Sequence, residues 1–166
     1  AWPGGAALLP GFYLNELLLR LMVRHDPHPA LFDAYAQTLL AMGDPALLQA
    51  ALRAFELTLL RQLGHLPALS ADTVDGQPVQ PGHAYELHPD LGVRESQWVG
   101  EPQAGPVVLD GRVLLDIEQA LSLHPTIPTL MAACMPALSE LKALLRTLIH
   151  YHLGSQTLRT RQLMME

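Results

Sequence analysis

The sequence predicts a mainly α-helical fold, a helical bundle interrupted by a small, turn-rich β-hairpin insertion. Leucine-rich segments at both ends of the chain repeat their apolar residues every three or four positions, which is the period of an amphipathic helix. Residues 64–111, by contrast, contain 13 of the 26 prolines and glycines, so long helices are excluded there. We therefore expect a first helical part over residues 1–69, the insertion over 70–111 and closing helices over 112–166.

The first two predicted helices are separated by a loop that contains two prolines. Pro10-Gly11 is expected to open a helix over residues 12–24, and the loop 25–29 ends it because proline has no N–H to donate. A second helix is expected over residues 29–42. The apolar residues predicted to face the core are Phe12, Leu14, Leu17, Leu18 and Leu21 in the first helix and Leu31, Phe32, Tyr35, Leu39 and Leu40 in the second.

The third predicted helix spans residues 45–63 and has clear signals at both ends. Asp44 can cap free N–H groups, Pro45 suits the first helical position, and Gly64 suits a C-terminal cap. The periodicity places Arg53 on the outer side of this helix. It places Leu48, Ala51, Leu52, Phe55, Leu59 and Leu63 toward the core.

The insertion is expected to contain a short hairpin formed by residues 83–88 and 91–95. Tyr85 and Leu87 alternate with polar neighbours in the first of these strands, which is the pattern of a half-buried strand. A further strand is expected at 105–109.

The closing part of the chain is predicted to form short helices at 112–121 and 126–134, followed by the amphipathic segment 137–165. This segment should pack on the helices at 12–24 and 45–63. Its predicted buried residues are Leu138, Leu141, Leu145 and Leu148, and its opposite face carries Ser139, Lys142, Arg146 and His150.

The composition excludes several classes of protein. Cys134 is the only cysteine, so no disulfide framework is expected and a reducing, cytoplasmic setting fits. No apolar run approaches the roughly 20 residues that span a bilayer, and no signal peptide is recognisable. The chain starts at Ala1 without a Met, so a processed or truncated N-terminus is expected.

Charge is distributed unevenly along this acidic chain, whose net charge is −6. Residues 70–140 contain ten Asp and Glu against two Lys and Arg, whereas residues 141–166 contain four Lys and Arg against one Glu. Lys142 and Arg146 are one helical turn apart, where like charges repel unless an anion lies between them. The basic end is thus either a contact for nucleic acid or an acidic peptide, or a solvated helix face.

The motifs of common enzyme classes are missing, and the sequence favours neither an enzyme nor a cofactor. It has no glycine-rich phosphate loop or nucleophile elbow, and Cys134 is expected in the core. One alternative is a metal-dependent hydrolase using His25, Asp26 and His28, although an HxxH pair alone is a weak signal. Nine of the ten cationic residues are Arg, whose planar guanidinium suits phosphate and carboxylate.

Three stretches together resemble the C-terminal part of the RecO family of bacterial recombination mediators. The first is GFYLNELLLRLM with DPHPALFDAY, at residues 11–22 and 26–35. The second is LRAFELTLLRQLGHLPAL, at 52–69, and the third is LLRTLIHYHLGSQTLRTRQLM, at 144–164.

This resemblance implies a cytoplasmic, nucleoid-associated DNA-repair protein without enzymatic turnover. Such a protein helps to load the RecA recombinase onto single-stranded DNA coated by single-stranded-DNA-binding protein (SSB), and it anneals complementary strands. The implied partners are RecR, the acidic C-terminal tail of SSB, and single- and double-stranded DNA. The family also has an N-terminal OB-fold domain, which lies outside this sequence. A helical scaffold that only holds the OB domain and RecR is a further alternative.

The resemblance also bears on the insertion and on the binding residues. Some family members carry a four-cysteine zinc site there, and Asp72 and Asp75 occupy its first Cys-x-x-Cys positions, so the insertion is expected to be zinc-finger-like without zinc. Packing of Tyr85, Leu87, Val93 and Trp98 would hold it. The residues expected to bind the SSB tail or DNA are Arg53 first, then Lys142 and Arg146, with Arg61, Arg159 and Arg161.

Overall fold

The computed structural model describes residues 5–22, 28–123, 125–153, 160, 163 and 164. It confirms a mainly helical fold with a small antiparallel sheet. The helices are α1 (Gly5–Leu21), α2 (Pro29–Ala41), α3 (Leu48–Gln62), α4 (Gly111–Ser122), α5 (Ile127–Cys134) and α6 (Leu138–Leu153), and the strands are β1 (Ala84–His88), β2 (Gly92–Glu95) and β3 (Leu109–Asp110).

Helix α1 begins seven residues earlier than predicted, so Pro10-Gly11 does not open it. Pro10 lies inside the helix and is itself buried. Proline removes the hydrogen bond to the carbonyl four residues earlier, and its ring crowds that carbonyl. Both effects fall in the first two turns of α1. Leu14 and Leu17 are buried as predicted, whereas Phe12 is half exposed.

Helix α2 matches its predicted bounds to within one residue, but its buried face is narrower than predicted. Pro29 stands at its first position, and Leu31 is buried. Phe32 and Leu40 were expected in the core and are instead 79% and 77% exposed. The helix packs on α3, and its buried residues are Leu31, Ala34 and Thr38. The hydroxyl of Thr38 donates a hydrogen bond to the carbonyl of Ala34 in the same helix.

Helix α3 is the centre of the fold, and its N-terminal cap and C-terminal glycine are as predicted. Asp44 accepts a hydrogen bond from the backbone N–H of Ala46 at 2.9 Å, and a 3₁₀ turn at Pro45–Leu47 leads into the helix. Gly64 follows with a φ of 78°, a conformation that favours glycine. Because α2, α5 and α6 all pack on α3, every residue from 50 to 60 is buried.

The insertion contains the predicted hairpin within a sheet of order β2-β1-β3. Tyr85 pairs with Glu95 and Leu87 with Val93, which places the apolar side chains of the hairpin on one buried face. The expected strand at 105–109 is shorter and later, since only Leu109 and Asp110 of this segment pair with β1. Tyr85, Leu87 and Val93 hold the insertion as predicted.

Trp98 was expected to help hold the insertion, but it is 50% exposed. Its indole lies against the backbone of Gly100 and Gly105, where a Cβ atom would approach the ring to 2.8 and 2.6 Å. Its Nε1 donates to the carbonyl of Glu101 at 3.2 Å. Trp98 therefore orders its own loop and does not fill the core of the insertion.

Asp72 closes the turn at the start of the insertion. Its Oδ1 accepts the backbone N–H groups of Val74 at 2.9 Å and Asp75 at 3.2 Å, and its Oδ2 accepts Nε of Arg94 at 3.1 Å. Burial raises the pKa of this carboxyl, but the two N–H groups and Arg94 outweigh it and hold the pKa below its usual value.

Helices α4 and α5 match their predicted bounds to within one residue, and α6 begins one residue later than predicted and packs on α1 and α3 as expected. Side chains cap two of them: Asp110 accepts from the backbone N–H of Arg112 at 2.7 Å, and Thr126 caps α5. Leu141, Leu145 and Leu148 are buried, while Lys142 and Arg146 are exposed. The described helix ends at Leu153. No helix within the described ranges is both long and apolar enough to cross a membrane.

Candidate anion-binding site

A cavity of about 400 Å³ lies beside α1, α3 and α6, and it brings together three of the six predicted site residues. Arg53 contributes from α3, and Lys142 and Arg146 contribute from α6. The remaining lining residues are Leu9, Pro10, Tyr13, Leu48, Gln49, Leu52, Glu56, Leu163 and Met164. The cavity therefore combines cationic groups with largely apolar walls.

Arg53 is not on an outer face of α3, as the periodicity predicted, but is buried with only 5% of its surface exposed. Its Nη2 donates to Oε1 of Glu56 at 2.6 Å, one turn further along the same helix. The hydroxyl of Tyr13 donates to the same oxygen at 3.1 Å. Arg53 and Glu56 thus enter the core as an ion pair, which is how charged residues are usually accommodated there.

Two nitrogens of the buried guanidinium have no hydrogen-bond partner in the described part of the chain. These are Nε and Nη1 of Arg53. Most buried polar groups in native proteins are hydrogen-bonded, because an unpaired one loses its hydration without compensation. Arg53 also lines the cavity. Its unpaired N–H groups are therefore suited to an acceptor that enters this cavity.

Lys142 and Arg146 add two exposed positive charges to the same cavity. They lie one turn apart on the solvent-facing side of α6, as predicted from the sequence. An anion in the cavity would reduce the repulsion between them.

Apolar residues from both ends of the chain complete the walls. Leu9 and Pro10 come from α1, and Leu163 and Met164 come from the C-terminal end. Thr160 connects these two regions, because its backbone N–H and its hydroxyl both donate to Oε2 of Glu16, at 3.0 and 2.8 Å.

The other predicted site residues are not brought into this cavity by the described structure. Arg61 lies at the far end of α3 and donates to both carboxylate oxygens of Glu118, at 3.1 and 2.5 Å. It also donates to the carbonyl of Pro67. Arg159 and Arg161 lie outside the described residues.

Sequence reasoning missed Glu56 and Tyr13 as members of the site. The spacing of Arg53 and Glu56, three residues apart on a helix, was a usable signal, since oppositely charged residues at this spacing are neighbours. The partnership of Tyr13 connects residues 43 positions apart and has no local signature.

Two of the three residues of the proposed metal site lie outside the described residues. His25 and Asp26 are not among the described residues, although His28 is. Within the described ranges, no three His, Cys, Asp or Glu side chains lie close enough together to hold a metal ion. The ring of His65 stacks on that of His152, with centroids 4.0 Å apart.

Cys134 is fully buried, as predicted. Burial raises the pKa of its thiol to about 12, with opposing contributions from the nearby charges of Arg53 and Glu56. The thiol therefore stays protonated at neutral pH, and it is not a reactive nucleophile.

Comparison with known proteins gives one consistent result. A family model described as "Recombination protein O C terminal" matches residues 5–162. The DNA repair protein RecO of Polaromonas sp. (strain JS666) is 46% identical over 166 residues, covering 99% of this chain and 65% of that protein. RecO of Albidiferax ferrireducens is 43% identical, with 99% and 64% covered. RecO of Ralstonia nicotianae is 42% identical, with 98% and 55% covered. The chain thus spans less than two thirds of the length of these relatives.

Proposed function

Since this chain belongs to the RecO family, we propose that it is the helical part of a recombination mediator in DNA repair. In this proposal it helps to load RecA on SSB-coated single-stranded DNA and to anneal strands, acting without enzymatic turnover in the bacterial cytoplasm, at the nucleoid. Its partners are RecR, DNA and the acidic C-terminal tail of SSB. The proposal assigns the tail to the cavity lined by Arg53, Lys142 and Arg146.

The observation that carries this assignment is the pair of unpaired nitrogens on Arg53. Nε and Nη1 are buried, lack a partner in the described structure and belong to a residue that lines the cavity. A carboxylate is a strong acceptor for a guanidinium, and such charge-assisted hydrogen bonds are stronger than neutral ones. A peptide carboxylate that reaches the guanidinium would therefore give one of these nitrogens the acceptor that it lacks in the described part of the chain.

The shape of the cavity favours a peptide end over the DNA backbone. Arg53 is almost fully buried, so an anion must enter to reach it, and the entering group meets apolar side chains such as Leu52 and Met164. A peptide that ends in an apolar or aromatic residue with a free carboxylate fits both features. Duplex DNA carries its phosphates along a wide, continuous backbone. Such phosphates contact exposed cations more readily than a buried one such as Arg53.

Lys142 and Arg146 have a different part in the proposal. Both are exposed, so they attract acidic residues that precede the peptide end and contribute chiefly to the rate of association. Their contribution should weaken as salt is added, since exposed charges are screened over about 10 Å at 0.1 M salt.

The remaining basic residues are assigned to other contacts. We propose Arg159 and Arg161 as DNA contacts, because they continue the basic end of the chain. Arg61 is already held by both oxygens of Glu118, so we propose that it serves the attachment of the insertion.

Titration with a defined peptide tests the assignment. The probe is a fluorescein-labelled peptide of aspartates followed by a C-terminal phenylalanine, measured by anisotropy at low and moderate salt. We expect binding that is lost when the terminal carboxylate is amidated and when Arg53→Ala is used. The matched control is Arg112→Ala, which removes an exposed arginine from α4 and should leave affinity unchanged.

Three outcomes would contradict the proposal. Equal binding of the free and the amidated peptides would show that the cavity does not recognise the carboxylate. Absence of binding even at low salt, in a protein whose circular dichroism shows it folded, would remove direct tail contact by this chain. A single-stranded oligonucleotide that competes fully with the peptide would assign the site to DNA.

A further inference from the structure

We infer that Glu56 and Tyr13 are positioning residues, which hold the guanidinium of Arg53 in one orientation at the wall of the cavity. The inference rests on the proposed function, because it concerns the same cavity. It adds a specific claim: recognition depends on the orientation of Arg53 and not simply on positive charge.

The geometry supplies the first argument. Oε1 of Glu56 is the acceptor for both Nη2 of Arg53, at 2.6 Å, and the hydroxyl of Tyr13, at 3.1 Å. The two donors come from different helices, α3 and α1, so Oε1 links the arginine to a second wall of the cavity. A planar guanidinium held at one nitrogen has few remaining orientations in a packed site.

The distribution of donors supplies the second argument. Glu56 is bound to Nη2, whereas the three N–H groups on Nε and Nη1 have no acceptor in the described structure. The contact between Glu56 and Nη2 therefore fixes the guanidinium without using the N–H groups of Nε or Nη1. An incoming carboxylate meets donors that are already oriented, so less side-chain entropy is lost on binding.

Charge supplies the third argument, because it separates this role from a purely electrostatic one. Glu56 places a negative charge within 2.6 Å of Arg53 and so opposes the attraction of an anion. If only net charge mattered, removing Glu56 would strengthen the binding of an acidic peptide. If Glu56 positions Arg53, removing its acceptor oxygen should weaken binding although the protein becomes more positive.

Two substitutions of Glu56 distinguish these possibilities. Glu56→Gln keeps an acceptor oxygen for Arg53 and Tyr13, and we expect an affinity for the acidic peptide within about threefold of wild type, or tighter. Glu56→Ala removes the acceptor, and we expect affinity to fall about tenfold or more. Tyr13→Phe removes one donor to Glu56 and should weaken binding by a few-fold, roughly the effect of one hydrogen bond.

Glu140→Ala is the matched charge control. Glu140 is an exposed residue of α6 that lies two positions before Lys142, and its removal adds the same unit of charge without altering the contacts of Arg53. We expect unchanged or slightly tighter binding. Circular dichroism and thermal unfolding identify which variants are folded at the temperature of the titration.

A ligand-independent measurement keeps this inference separate from the proposed function. The Nε–H group of Arg53 can be followed by ¹⁵N NMR in the free protein, where a fixed guanidinium gives a strongly positive heteronuclear NOE. We expect this NOE in wild type and in Glu56→Gln, and a clearly lower value in Glu56→Ala. This result holds whether or not the peptide binds.

Two results would overturn the inference. One is a folded Glu56→Ala protein that binds the acidic peptide as tightly as wild type or more tightly, as a charge effect alone requires. The other is a heteronuclear NOE of Arg53 Nε–H that is equally low in wild type and Glu56→Ala. If wild type shows the strongly positive NOE but no peptide binding, the proposed function fails while the positioning of Arg53 stands.

Discussion

Arg61 and Glu118 join the C-terminal end of α3 to the middle of α4 through two parallel hydrogen bonds, of 3.1 and 2.5 Å. Oε2 of Glu118 also accepts the backbone N–H of Leu69 at 2.9 Å, at the point where the chain leaves the bundle for the insertion. Burial raises the pKa of Glu118, but hydrogen bonds from Arg61 and Leu69 outweigh it, so the pKa lies below its usual value. One carboxylate therefore fixes two helices and the start of the insertion.

Glu118→Gln should lower the free energy of unfolding at neutral pH by about 1–3 kcal/mol, because it removes a charge-assisted bidentate contact. The folded-state pKa of Glu118 is below the unfolded value. Its contribution to the free energy of unfolding is therefore fully present at pH values above the unfolded pKa of about 4.5. It is lost as pH falls through the folded pKa. Urea unfolding at several pH values should show a smaller acid-induced loss of stability in the variant. Glu140→Gln, at an exposed site, is the control, and an equal effect there would contradict this role.

The buried pair of Arg53 and Glu56 should show strong coupling in stability. Arg53→Met leaves the carboxylate of Glu56 buried with its charge partner removed, so we expect a loss of roughly 3–5 kcal/mol. Arg53→Met combined with Glu56→Leu should recover most of that loss, because an apolar pair leaves no charged group buried at this position. Urea unfolding of the single and double variants measures the coupling. Additive effects of the two single substitutions would contradict a direct pair.

His152 should make folding sensitive to mild acid. Burial, and secondarily the neighbouring ring of His65, lower its pKa. As the pH falls, His152 is therefore protonated in the unfolded state before it is protonated in the folded state. The free energy of unfolding decreases as the pH drops from the unfolded pKa of about 6.5 toward the folded pKa. His152→Ala should flatten this pH dependence of the thermal midpoint between pH 7 and 5. His150→Ala, at an exposed position on the same helix, should leave it in place.

Gly111 and Gly11 should respond in opposite directions to the same substitution. A Cβ at Gly111 would lie 2.0 Å from the backbone oxygen of Gln80, so Gly111→Ala requires a shift of the insertion and should lower stability by about 1–3 kcal/mol. A Cβ at Gly11 meets nothing within 4 Å inside α1. Gly11→Ala should raise stability by about 0.5–1 kcal/mol, since alanine is the better helix former. Equal thermal midpoints for the two variants would contradict this assignment.

Local signals in the sequence were sufficient to locate most of the elements. The cap at Asp44, the glycine at Gly64 and the alternation around Tyr85 act over a few residues, and each was confirmed. The start of α1 was missed because the tolerance of a proline such as Pro10 depends on tertiary packing. Exposure was also misjudged for Phe32, since the periodicity of a helix does not tell how wide a face its neighbours cover.

The site could be predicted only in part, for a related reason. Lys142 and Arg146 lie on an amphipathic helix whose exposed face follows from its period, and both line the cavity. Arg53 was predicted to bind the SSB tail or DNA, which stays a prediction, and it was placed wrongly on the surface. A helix covered on all sides has no outer face, and only the assembled neighbours of α3 reveal that.

The carboxylate of Asp72 determines how the first turn of the insertion responds to oxidants and to acid. Both oxygens of this carboxylate accept hydrogen bonds from within the insertion. The sequence resemblance predicts that some family members carry a cysteine at this position. A thiolate is lost to oxidation and to disulfide exchange, whereas a carboxylate undergoes neither reaction. Acid is what removes the charge of Asp72. Peroxide and diamide should therefore leave this turn intact.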